Sequence, residues 1–414
     1  MNELTLIFLA AIAINIAIHG WLIRRHIDHV RSHRNQVPAA FQDTIPLSAH
    51  QKAADYTQAK ARFGMVDLLI GALLLLIWTL GGGLNLLDSA WRSGGLPILA
   101  TGVGFVISAY ALMALLEIPM SAYRTFIIEE RFGFNKTTPK LFIFDSLKQG
   151  TLLLLIGMPL AALVLWLMLN GGALWWLYVW VAWISFSLLM MWVYPTFIAP
   201  LFNKFRPLMD DALRTRIETL LKRNGFSSQG IFVMDGSTRS THGNAYFTGL
   251  GTNKRIVFFD TLMDELNSEE IEAVLAHELG HFKCKHITKR IILMAAVSLI
   301  GLAFLGWLIN QPWFYSGLGV TQPSAHVALV LFLIVIPVFT FFFQPLLAHI
   351  SRKHEFEADD FAVKQAKADT LIQALVKLYK GNANTLTPDP LYSAFHDSHP
   401  PAPVRVAHLS SKLA

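Results

Sequence analysis

The chain offers little charge and almost no thiol: of 414 residues, 15% are charged and one is a cysteine, Cys284. A single cysteine excludes an internal disulfide and any metal site built on several thiolates. Cys284 lies three residues past His281, and such a helical thiol reads as packing rather than as a ligand. Acid is missing too, since no Asp or Glu occurs from residue 282 to residue 354. Any carboxylate serving a motif just before that stretch must therefore come from beyond it or from the motif's own side. The amino terminus lacks the basic residue of a cleaved leader. Met1-Asn2-Glu3 precede the first apolar run and Arg24-Arg25 follow it, which predicts a retained anchor.

What is abundant is apolar surface, with 54% hydrophobic residues and 11 Trp, more than a soluble core requires. Runs long enough to cross about 30 Å of hydrocarbon occur near 4–23, 64–87, 96–118, 151–169, 174–198, 291–309 and 327–347. The expected fold class is mainly α, a polytopic membrane protein of seven spans. Basic residues alternate between the loops. Arg24, Arg25, Arg31, Arg34, Lys52, Lys60 and Arg62 fall in the first, and Arg124, Arg131, Lys136, Lys140 and Lys148 in the third, whereas the second has only Arg92. This bias predicts an outside amino terminus and a cytosolic carboxyl terminus. The net charge of +6 then reflects topology, not nucleic-acid binding, and membrane lipid is the expected surrounding.

One segment carries chemistry. Residues 277–281 read HELGH, an instance of HExxH. Positions four apart share a helical face, so His277 and His281 can hold one metal ion while Glu278 stands beside it as a base. A third ligand would leave one position of a tetrahedral zinc open for water. Asn267-Ser268-Glu269-Glu270 supplies the helix start, a capping side chain followed by acids. Without a metal, the same residues make two histidines on an ordinary helix.

The third ligand is constrained by what is absent. In the extended motif HExxHxxGxxH, the glycine and last histidine would fall on Cys284 and Ile287, so that arrangement fails. His286, five residues past His281 and about 140° round a continuous helix, is expected to point away. The first acids after the gap come in Ser351-Arg352-Lys353-His354-Glu355-Phe356-Glu357-Ala358-Asp359-Asp360, just after the seventh run. Glu355 and Asp359 are four apart and share a face, as a ligand and an acid orienting a ligating histidine would. His354, Glu357 and Asp360 are expected to project elsewhere. The bland alternative is a charged juxtamembrane helix.

Elsewhere, Leu47 to Arg62 predicts a cytosolic helix entering the second span, and Pro207 to Lys222 an amphipathic helix stopped by Asn224-Gly225. Ile231 to Met234, Ala245 to Thr248 and Arg255 to Phe259 predict short strands beside the active helix, an edge suited to holding an extended peptide. Glu117 either lines an internal cavity or is a helix-end residue at the membrane interface, and Asn15 and His19 either line such a cavity or join helices. The expected organisation is spans one to five over 1–200, a cytosolic α+β segment over 201–290, spans six and seven over 291–348, and a cytosolic tail over 349–414.

HELGH together with SRKHEFEAD resembles the M48 zinc metallopeptidases, and within them the seven-span Ste24-type CAAX prenyl proteases. EERFGFNKTT (129–138), PLFNKFRPL (200–208), GNAYFTGLGTNKRIVFFDTL (243–262) and FHDSHPPAPVRVAHL (395–409) extend the resemblance over most of the chain. It implies seven helices around a water-filled chamber with a small cytosolic α+β zinc peptidase domain. It also implies one zinc on His277, His281 and Glu355, catalysis by Glu278, and Asp359 behind the ligands. His399 and Arg405 would stabilise the oxyanion, and Asn244 and Ala245 would pair with a peptide or protein substrate, prenylated or not. Ala402-Pro403 departs slightly from the family tail. A bacterial inner membrane is the first expectation, or the endoplasmic reticulum in a eukaryote. The alternatives are a heat-shock type (HtpX-like) quality-control protease, a site-2 type protease, or a transporter or scaffold with a vestigial metal site.

Overall fold

The computed structural model describes residues 2–249 and 253–413. Among the described residues, seven helices are long and apolar enough to cross a membrane: Glu3–Ser32, Leu47–Trp78, Ile98–Glu129, Pro139–Asn170, Gly172–Phe202, His286–Leu308 and Ala325–Val363. Their ends follow local chemistry. The Asn2 side chain accepts the Thr5 amide at the start of the first, and Thr138 with Pro139 opens the fourth. The second runs unbroken from Leu47, so the expected entry helix is its first half.

The second span stops earlier than its hydropathy. The apolar run continues to residue 87, but the helix ends at Trp78 and a separate helix covers Gly83–Ser93. Three consecutive glycines cause the break, with Gly82 in the left-handed region at φ 80°.

Large apolar side chains stay exposed on these helices, among them Leu155, Trp192, Ile300 and Trp307. That is the surface lipid would cover. Between the helices lies one core, including Phe8, Phe105, Leu165, Val330 and Leu331.

A second core belongs to the domain that follows the fifth span. Its sheet has four strands, β1 Phe205–Pro207, β2 Ser227–Met234, β3 Ala245–Thr248 and β4 Asn253–Phe259, in the order β1-β2-β4-β3. β2 and β4 are parallel and the outer pairs antiparallel, which leaves β3 at one edge. Sequence patterning finds three of the strands; β1 is too short for it and carries Pro207. The amphipathic helix accordingly begins at Asp211 rather than Pro207, capped by the Asp210 carboxylate, and its Leu213, Ile217, Leu220 and Leu221 pack under the sheet.

Candidate metal centre

Two helices build the site. The first, Ser268–Lys283, carries HELGH and starts with a capping box: Asn267 accepts the Glu270 amide at 3.0 Å and the Glu270 carboxylate accepts the Asn267 amide at 2.8 Å. Ile271, Leu275, Ala276 and Leu279 bury its inner face. The second, Gln344–Val363, extends the seventh span and buries Ala348, Glu355, Ala358, Asp359 and Ala362. They cross at Gly280, where a Cβ would stand 3.0 Å from the Ala358 Cα and carbonyl oxygen. A side chain there would force a shift of a few tenths of an ångström, so glycine eases the close approach that brings Glu355 back to the histidines.

Nε2 of His277 and Nε2 of His281 are 3.3 Å apart. Glu355 places Oε2 3.4 Å from the first and Oε1 3.4 Å from the second. The three ligand atoms lie within 4.8 Å of one another. Glu355 Oε2 is buried with no hydrogen-bond partner among the described residues. A buried carboxylate oxygen without a donor is costly, and a cation among these atoms removes the cost. Two imidazole nitrogens and a carboxylate are also the donor set that zinc takes in hydrolytic sites, so the residues fit the group.

Behind these atoms, Nδ1 of His277 lies 2.8 Å from Asp359 Oδ1, and Nη2 of Arg405 lies 2.9 Å from the same Nδ1 and 3.1 Å from Nε2; with Nδ1 donating to the carboxylate, Nε2 is turned toward Glu355. Arg405 donates from Nε and Nη2 to the two oxygens of Asp359, at 2.7 Å each. Its Nη1 is 3.7 Å from Glu355 Oε2. Burial works against the guanidinium's charge, but the Asp359 hydrogen bonds outweigh it and hold the group protonated more firmly than usual. The sequence gives Arg405 no such partner; the structure ties it to Asp359. His399 is mostly exposed, with Nε2 3.5 Å from Glu355 Oε1.

His286 does not point away. The HELGH helix ends at Lys283, and Lys285 turns the chain with a left-handed φ of 57°. The next helix therefore starts in a new direction and puts Nδ1 of His286 3.0 Å from Nδ1 of His281. The expectation assumed an unbroken helix, and no glycine marks the break. Glu357 also turns inward, its Oε2 2.9 Å from Nε2 of His286.

A cavity of about 1060 Å³ opens over the site. His277, Glu278, His281 and Glu355 line it, with Asn244 and Ala245 at the β3 edge and His399 and Arg405 opposite. Asn382, which patterning does not single out, clamps the approach to β3: its Oδ1 accepts the Gly243 amide at 3.0 Å. Residues 250–252, inside the GNAYFTGLGTNKRIVFFDTL segment, lie outside the described residues. A separate, open cavity of about 410 Å³ among the spans is lined by Asn15 and Glu117, of which Glu117 is exposed.

Residues 26–204 match the family of CAAX prenyl protease N-terminal segments, described as five membrane helices, and residues 207–413 match peptidase family M48. The chain belongs to peptidase family M48. A CAAX prenyl protease 1 homolog of Dictyostelium discoideum is 36% identical, over 92% of this chain and 90% of the relative. CAAX prenyl protease 1 of Saccharomyces cerevisiae is 34% identical, over 90% and 88%. The crystal structure of S. mikatae Ste24p superposes with a TM-score of 0.90 at 32% identity, covering 99% of each chain. This M48 peptidase is thus a multi-pass membrane zinc metalloendopeptidase of the Ste24 type acting on a peptide or protein, and the heat-shock type alternative is not favoured.

Proposed function

We propose that His277, His281 and Glu355 hold a single zinc ion, and that Glu278 is the general base for peptide-bond hydrolysis. The observation carrying this reading is the partnerless Oε2 of Glu355 set among two Nε2 atoms. When bound, zinc supplies Lewis acidity to a water and a carbonyl. Glu278, half-buried at the cavity wall, takes the proton of the attacking water and returns it to the leaving amine. The substrate lies extended along Asn244 and Ala245, pairing with the β3 edge. His399, on the open side, donates to the oxyanion, with the buried charge of Arg405 behind it. Asp359 fixes the ring of His277.

The relatives are named CAAX prenyl proteases, which supports a prenylated peptide as one substrate of this chain. The loop charges support an outside amino terminus and a cytosolic site, and a bacterial inner membrane is the proposed compartment. Trapping with a Glu278→Gln protein in native membranes tests both parts. Retained farnesylated peptides would support CAAX processing, and assorted membrane-protein fragments would replace it with quality control. Equal peptide cleavage by the Gln variant and the parent, at equal zinc content, would remove Glu278 as the base.

A further inference from the structure

We infer that His286 and Glu357 form a relay that fixes the tautomer and ring orientation of His281, making both positioning residues for the metal centre. The inference rests on the reading of His281 as a zinc ligand. A neutral histidine that binds metal through Nε2 carries its hydrogen on Nδ1, and that N–H needs an acceptor. For His281 the partner is Nδ1 of His286, at 3.0 Å. To accept there, His286 must carry its own hydrogen on Nε2. That nitrogen faces Oε2 of Glu357 at 2.9 Å. One hydrogen arrangement therefore satisfies the whole chain, from carboxylate through two imidazoles to the ligand nitrogen.

The ring of His286 is held as a relay requires. It is buried, 4% exposed, and stacks on His354 with centroids 4.1 Å apart and planes 11° from parallel. The left-handed turn at Lys285 is what brings it there. The two ligand histidines are thus supported unequally. His277 has a carboxylate in direct contact, whereas His281 has an imidazole with the carboxylate one step farther out, where Glu357 is partly exposed and Lys289 lies 3.9 Å away.

Cys284, His286 and Glu357 also offer three ligand atoms within 4.8 Å of one another. A cation there would need a nitrogen of His286 that the relay already uses, so the two arrangements exclude each other.

The test measures zinc affinity of the full-length protein in detergent by competition with a chromophoric chelator. His286→Ala is expected to bind zinc about 10- to 100-fold more weakly. His286→Gln should recover part of the loss, because its amide oxygen can accept from His281. Glu357→Gln should weaken binding less but in the same direction, with an unchanged melting temperature of the zinc-free protein, which a merely structural role would not give. If His286→Ala fails to fold, Glu357→Gln on the partly exposed end decides alone. Parental affinity in the variants that fold, with one zinc per chain, overturns the relay and leaves the metal centre standing. Two zinc ions per chain, falling to one in Cys284→Ser, overturns it in favour of a second site. A parent chain that binds no zinc overturns the metal centre and the relay together.

Discussion

Asp359 and His277 meet at 2.8 Å, carboxylate oxygen to Nδ1, on two helices that come from opposite sides of the last two membrane crossings. The same carboxylate receives two hydrogen bonds from Arg405. One acid thus both holds the ring of His277, a proposed ligand, and neutralises a buried cation. Asp359→Asn keeps the shape and removes the charge. Its zinc affinity is expected to fall about 10- to 100-fold, and its zinc-free form to melt lower because Arg405 is left uncompensated. A chelator titration and a melting curve check this; parental zinc affinity would contradict the orienting role.

Glu278→Gln should leave metal content unchanged, since Glu278 is not among the clustered ligand atoms. Turnover of a fluorogenic peptide should drop by about 10²- to 10⁴-fold, the usual contribution of a positioned base. Loss of zinc alongside activity would instead make Glu278 a structural part of the site.

The helix crossing gives a prediction remote from the chemistry. Gly280→Ala puts a methyl group 3.0 Å from the backbone of Ala358, and overpacking of this kind costs about 1–3 kcal/mol. Because separating the helices also moves Glu355 from the histidines, zinc affinity and melting temperature should fall together. A lower melting temperature with intact affinity would show that the site tolerates the shift.

Acid sensitivity is expected from the tail. Asp389 accepts the amides of Leu391 and Tyr392 and the Arg25 guanidinium. Burial alone would raise its pKa, but the Tyr392 amide and Arg25 prevail and hold it below the ordinary carboxylate range. A depressed folded-state pKa stabilises fully above the unfolded value of about 3.9. The contribution is lost as pH falls through the folded value. Melting temperature should therefore decline below about pH 4, and Asp389→Asn should flatten that decline while lowering stability at neutral pH. Parallel acid limbs for the two proteins would count against it.

Patterns that depend on spacing alone were legible in the sequence. The four-residue step from His277 to His281 and the acid-free stretch that ends just before Glu355 together bring the clustered residues, the proposed ligands, into view, and hydropathy finds the spans. What it misses depends on backbone direction. Hydropathy cannot see the glycines that end the second span at Trp78, nor periodicity the turn at Lys285 that swings His286 onto His281. The guanidinium of Arg405 pairs with an acid 46 positions away, a contact no local pattern encodes.

Glu355 belongs to the helix Gln344–Val363, which a short 3-10 turn at Phe341–Phe343 joins to the apolar helix Ala325–Thr340. Through that turn the carboxylate is joined to a helix whose tilt responds to lipid thickness. Reconstitution into short- and long-chain vesicles should change zinc retention in this protein, whereas a soluble enzyme with the same ligands would not register the difference.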